Sequence, residues 1–175
     1  MAEDNNNIFA QEFITVANEY CWLMENISDF DSDKIVDFMR KMLPLLYVKG
    51  SAVVTPDDAD ESNMQRYVTE ENYEIIFNNV RNKLIHLEKF YTYNEELQEV
   101  EEKSMAECLT DIYQDLKDVQ IAYVKGLEFE KAAALFCLKQ WFVERWGTHV
   151  AVLLPVLHNI FEKKILIEQS GIEFD

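Results

Sequence analysis

Four glycines and three prolines in 175 residues leave little material for tight turns. That scarcity argues against a sandwich or barrel and for helices joined by a few loops. Cysteine is also scarce. Cys21, Cys108 and Cys137 are far apart, odd in number and without a CxxC spacing, which argues against a thiolate zinc site and reads as buried thiols in a reducing cytoplasm. The longest strongly apolar run, Val150 to Leu157, contains Pro155 and is too short to span a bilayer. The opening MAEDNNN is polar and acidic, unlike a secretory signal. GxGxxG, Walker, HExxH and GxSxG motifs are missing, as are the ExxH pairs of di-iron bundles. Basic residues are few as well: 16 against 33 acidic ones, a formal net charge of −17. Such a charge opposes binding to nucleic acid or to anionic membrane, and favours a basic protein partner or a divalent cation.

What is present is apolar residues at helical spacing. Hydrophobic residues make up 49% of the chain and aromatic ones 13%, enough for one folded domain with a sizeable core. The first helix is expected over 8–25, with Phe9, Phe13, Val16, Ala17, Tyr20 and Met24 on one face. Ser32 is the expected N-cap of a second helix carrying Ile35, Phe38, Met39, Met42 and Leu46. Pro44 should kink or end that helix, and Gly50 should mark its stop. Residues 51–68 read as a long acidic loop. Thr69 caps a third helix whose stripe is Tyr73, Ile76, Phe77, Val80 and Leu84. The segment HLEKFYTYNEELQEVEEK either extends that helix or forms an aromatic-then-acidic connector. Ser104 and Glu107 form a capping box for a fourth helix with Met105, Cys108, Ile112, Leu116, Val119 and Tyr123 facing the core. Beyond Gly126 a fifth helix, apolar almost all round, should be central to the bundle. The chain then either breaks at Trp146-Gly147 or continues into a sixth helix bent by Pro155.

The polar residues of this last helical pair, 104–164, carry the functional question. Glu107, Asp111, Asp115 and Asp118 form an acidic row, with Asp115 nearest the apolar stripe. Such a row is either a solvated helix face or a pair of carboxylates able to share a divalent cation. Glu144, one turn after Gln140, is expected to be buried, and so protonated, paired or metal-bound. His149 follows the glycine break, where a helix end can present it; His158 reads as a core histidine and His86 as a helix-terminus one. A tentative metal set is therefore Asp111, Asp115, Glu144 and His149. A weaker match links Glu70-Glu71-Asn72-Tyr73-Glu74 and Asp115-Leu116-Lys117-Asp118 to the paired acidic motifs of helical nucleotide pyrophosphohydrolases, although the second begins with Asp where Glu is expected.

The segments FITVANEYCWLMEN, FMRKMLPLLY, LTDIYQDLKD, ERWGTHV and VLH together resemble an uncharacterised bacterial helical family called domain of unknown function 5063. LTDIYQDLKD, followed about thirty residues later by ERWGTH, is the most specific part. The resemblance spans most of residues 9–160 and leaves out the acidic loop. It implies one all-helical cytoplasmic domain and supplies no activity or cofactor. It also groups Asp111, Tyr113 and Asp115 with Glu144, Trp146, Gly147 and His149 as a candidate functional or polar-core cluster.

The expectation is thus an all-α single domain, 1–175, of five or six helices, with the fourth and fifth as antiparallel neighbours. The preferred role is a non-enzymatic interaction or accessory module with a protein partner, no nucleic acid, no membrane and no expected cofactor. The alternative is a divalent-metal-binding protein or metal-dependent hydrolase. An exposed aromatic patch at Phe90, Tyr91 and Tyr93 would support the first role.

Overall fold

The helix that opens after Ser104 is enclosed by others, and the fold is arranged around it. In the computed structural model, which describes the backbone of residues 2–170 and the side chains of 7–164, six helices follow one another: α1 (Ala2–Glu25), α2 (Ser32–Ala52), α3 (Glu70–Lys83), α4 (Met105–Lys125), α5 (Glu128–Glu144) and α6 (Trp146–Ser170). Between α3 and α4 stands an antiparallel hairpin, β1 (Lys89–Asn94) with β2 (Glu99–Ser104). No described helix is long and apolar enough to cross a membrane.

The all-helical bundle expected from composition is present, with the hairpin as an addition. The middle element is α4, not α5. It packs against α1, α3, α5 and α6, and buries Met105, Leu109, Ile112, Leu116 and Val119. Even its polar Thr110 is enclosed, donating its hydroxyl to the Ala106 carbonyl at 2.7 Å. Helix α5 buries one face only, through Ala133, Ala134, Cys137, Leu138 and Trp141, and leaves Phe129 and Val143 exposed. Its all-round apolar composition therefore overstates its burial, since no element covers its outer side. As expected, α4 and α5 are packed neighbours across a short connection at Gly126-Leu127.

Several local signals are realised as read. Thr69 accepts the amide of Asn72 at 3.2 Å as N-cap of α3. Ser104 accepts the amide of Glu107 at 3.0 Å. The acid that completes this cap is Glu88 rather than Glu107: its carboxylate takes the Ser104 hydroxyl and the Ala106 amide. Other boundaries differ. Helix α1 begins six residues earlier than expected, at Ala2, and Phe9 at the start of its apolar stripe is exposed. Asp31, not Ser32, is the N-cap of α2.

Helix α2 runs through both expected stops. Pro44 lies inside it, and so does Gly50. Gly50 is there for space: a Cβ would lie 2.4 Å from Trp146 Cη2 and 3.2 Å from Phe13 Cε2. The carbonyls of Gly50 and Ser51 at this helix end accept Lys139 Nζ at 3.1 and 2.6 Å, which also suits the dipole of the terminus.

The ambiguous segment is the hairpin. Phe90, Tyr91, Thr92 and Tyr93 are strand formers. Its turn is built by Asn94, whose Oδ1 accepts the amides of Glu96 and Leu97 at 3.0 and 3.1 Å, and by Gln98 at φ 53°.

The tightness of the Gly50 site yields a prediction. Gly50→Ala forces Trp146 and Phe13 apart and should lower stability by about 1–3 kcal/mol, read as a lower midpoint of urea unfolding at unchanged slope. An unchanged midpoint would show that the indole yields freely.

Candidate functional site

The acidic row of α4 does not face water. Asp115 and Asp118 are fully buried, and each carboxylate is met by cations brought from elsewhere in the chain. Arg66, from the loop between α2 and α3, reaches Asp115 Oδ1 at 3.2 Å and Asp118 Oδ2 at 2.8 Å through one nitrogen. Its guanidinium lies over the ring of Trp141 on α5, 4.0 Å from the centroid. Arg145 approaches Asp115 Oδ1 at 3.2 Å from the opposite end of the chain. Asp118 Oδ1 accepts the amides of Tyr67 and Val68, both at 2.8 Å. One carboxylate thereby fixes three consecutive residues of the long loop.

One turn back, Asp111 forms a second group. Its Oδ1 accepts the Tyr73 hydroxyl of α3 at 2.7 Å, and its Oδ2 lies 3.2 Å from Nε2 of His149 on α6.

These placements set the charges. Asp115 is pushed up to about 6 by burial, against the lowering influence of Arg145 and Arg66. Burial also acts to raise Asp111, but the hydrogen bonds from His149 and Tyr73 outweigh it and hold the carboxyl below its ordinary value. His149 is pushed up to about 9, first by Asp111 and then by Cys108, with burial opposing. Asp115 retains one unsatisfied atom: its Oδ2 is buried with no hydrogen-bond partner.

Of the residues singled out in the sequence, Asp111 and His149 come together, while Asp115, one turn along α4, is paired with Arg66 and Arg145 instead. Tyr113 belongs to a different network, donating to Glu25 of α1 at 3.0 Å, where Lys117 also pairs at 2.6 Å. Trp146 is a core residue: its indole donates to the Leu138 carbonyl at 3.1 Å, and its ring packs on Phe13 and Phe142. Glu144 was expected to be buried and is exposed. Helix α5 ends at this residue and the backbone breaks at Arg145 (φ −135°, ψ −86°), so the helical phase that paired Glu144 with Gln140 points the carboxylate to solvent. It takes no place beside Asp111, Asp115 and His149.

Among the described residues no group of three or more His, Cys, Asp or Glu is placed to hold a metal ion. Glu70, Glu71 and Glu74 are likewise exposed, the first two in the first turn of α3 where acids favour the dipole. His158 is exposed rather than a core residue. The residues that sequence reasoning missed are Arg66 and Trp141. A signal for Arg66 was present, since it is the one basic residue between Lys49 and Arg81.

The comparisons agree with this architecture. The family model described as Domain of unknown function (DUF5063) matches residues 4–163. The crystal structure of protein BF1032 from Bacteroides fragilis is similar, at 31% sequence identity and a TM-score of 0.74, over 90% of this chain and 92% of that one. No curated protein matches.

Two predictions come from the charge arrangement. Asp118→Ala leaves the Tyr67 and Val68 amides without their acceptor and Arg66 with Asp115 alone, and should cost about 2–4 kcal/mol. Proteolysis should then cleave near Arg66; a variant as resistant as wild type would contradict this role. His149 has a folded value of about 9 against 6.5 unfolded, so its stabilisation is complete below pH 6.5 and is lost as pH rises through 9. The fall should be on the order of 2–3 kcal/mol and absent in His149→Gln, measured by denaturant midpoints across that range.

Proposed function

Since the chain belongs to the family described as Domain of unknown function (DUF5063), its role is read from geometry, and we propose a non-enzymatic protein-interaction or accessory module of the cytoplasm. The observation that carries this reading is the hairpin. Its register places Tyr91 opposite Glu102 and Tyr93 opposite Val100, so these four share one face. Tyr91, Tyr93 and Val100 are each more than half exposed, as is Leu97 in the turn. Phe90, on the other face, is buried and anchors the base of the hairpin in the core. The patch expected at Phe90, Tyr91 and Tyr93 is thus carried by the two tyrosines alone.

Amphipathic tyrosines are favoured at interfaces, where they supply contact area at low entropic cost. Five glutamates flank them (Glu95, Glu96, Glu99, Glu101 and Glu102), against two lysines (Lys89 and Lys103). A partner with a basic, extended segment would meet both charge and stacking needs, and the two-stranded sheet offers backbone edges for it to pair with. The three free thiols support the reducing compartment.

The test is crosslinking of wild type and of Tyr91→Ser/Tyr93→Ser to neighbours in the source cells, with the crosslinked peptides sequenced. A lysine- or arginine-rich partner segment joined to the hairpin, and lost in the double variant, is the expected result. Unchanged crosslinks in a variant that melts as wild type would dismiss the hairpin as the contact surface.

A further inference from the structure

Helix α5 is apolar almost all round, yet it buries only the face formed by Ala133, Ala134, Cys137, Leu138 and Trp141. The residues on its outer side are not scattered. Phe129, Ala132, Phe136, Lys139 and Val143 recur at alternating intervals of three and four, the spacing of a seam between two paired helices. None of the five is buried: Phe129 is 53% exposed and Val143 72%, and the three between them are partly exposed. The seam is about 20 Å long.

Charge decides what fits it. The chain carries a net charge of −17, but residues 131–143 contain no acid and two lysines. Both lysines are engaged within the chain, Lys131 by Glu128 at 2.9 Å and Lys139 by the carbonyls of Gly50 and Ser51. The seam is therefore close to neutral. It offers no unpaired charge to an acidic or a basic partner, and it is where two copies of an acidic chain meet with least repulsion.

The row is also complementary to itself. In an antiparallel pair with its two-fold axis at Phe136, Phe129 and Val143 lie seven residues to either side. Each Phe129 ring then faces the smaller Val143 of the partner subunit. The stem of Lys139 crosses the small Ala132 of the partner subunit, and a single lysine in an apolar seam fixes its register. Tyr47 adds area at the rim: it is 40% exposed, with its ring centroid 4.9 Å from that of Phe142. Even so, the contact is smaller than the roughly 800 Å² per copy of a tight interface.

We infer that the outer face of α5 is the contact between two copies of this chain, paired antiparallel about Phe136 in a reversible dimer with a Kd on the order of 10 μM.

The test is sedimentation equilibrium of the whole protein across about 1–300 μM. The mass should rise from one chain to two as concentration increases. Val143→Glu, at an exposed position, should weaken the dimer by about tenfold or more and leave the melting temperature unchanged. Phe129→Glu should also weaken it, whereas Phe129→Glu/Val143→Lys should recover it, because antiparallel pairing sets each acid against a lysine. A monomer at every concentration would overturn the inference, and so would a dimer that Val143→Glu leaves intact. Loss in both single variants without recovery in the double would overturn the antiparallel arrangement.

Discussion

Two carboxylates of the central helix have been withdrawn from water, and much of the surrounding chain is disposed so that they can remain there. Asp115 and Asp118 are fully buried, a placement that costs several kcal/mol for each ion unless charge and hydrogen bonds offset it. The offset comes from Arg66, Arg145 and two loop amides. This constraint explains features that otherwise look unrelated. It ties an acidic loop of some seventeen residues to α4, it places a guanidinium on Trp141, and it puts the break between α5 and α6 at Arg145. An acidic chain thus spends two of its few basic residues on internal balance, which leaves the outer surface strongly negative.

Asp111 extends the arrangement by one turn with different chemistry. Its partners are a phenol and an imidazole rather than guanidinium groups. The imidazole is pushed up to about 9, first by Asp111, so this part of the row responds to pH. The hairpin lies outside both groups and takes no part in either. The molecule therefore separates an interior of paired charges from a projecting face of tyrosines and glutamates.

Legibility from sequence followed the range of the interaction. The stripe of α4 and the Thr69 cap depend on residues within one or two turns, and local spacing was enough to read them. Asp115 as the most inward acid was legible from helical phase, but Asp118 was not, because its burial is caused by Tyr67 and Val68 some fifty residues away. Arg66 stood out only by charge, and nothing in its neighbourhood indicates which helix it meets. Glu144 was misplaced because α5 was read as buried all round, whereas it buries one face and leaves Val143 and Glu144 exposed. Gly50 read as a helix stop is the same kind of error: the glycine serves the indole of Trp146, a contact across the fold rather than along it.

The most direct measurement of the central claim is a double-mutant cycle between Arg66→Ala and Asp118→Asn, with stability taken from urea unfolding of the four proteins. If the buried carboxylate and the loop arginine hold each other in place, the effects will be non-additive, with a coupling above about 1 kcal/mol and a double variant less damaged than the sum of its parts. Additive losses would contradict the account, since they would mean that Asp118 is stabilised without Arg66 and that the loop is fixed by something else.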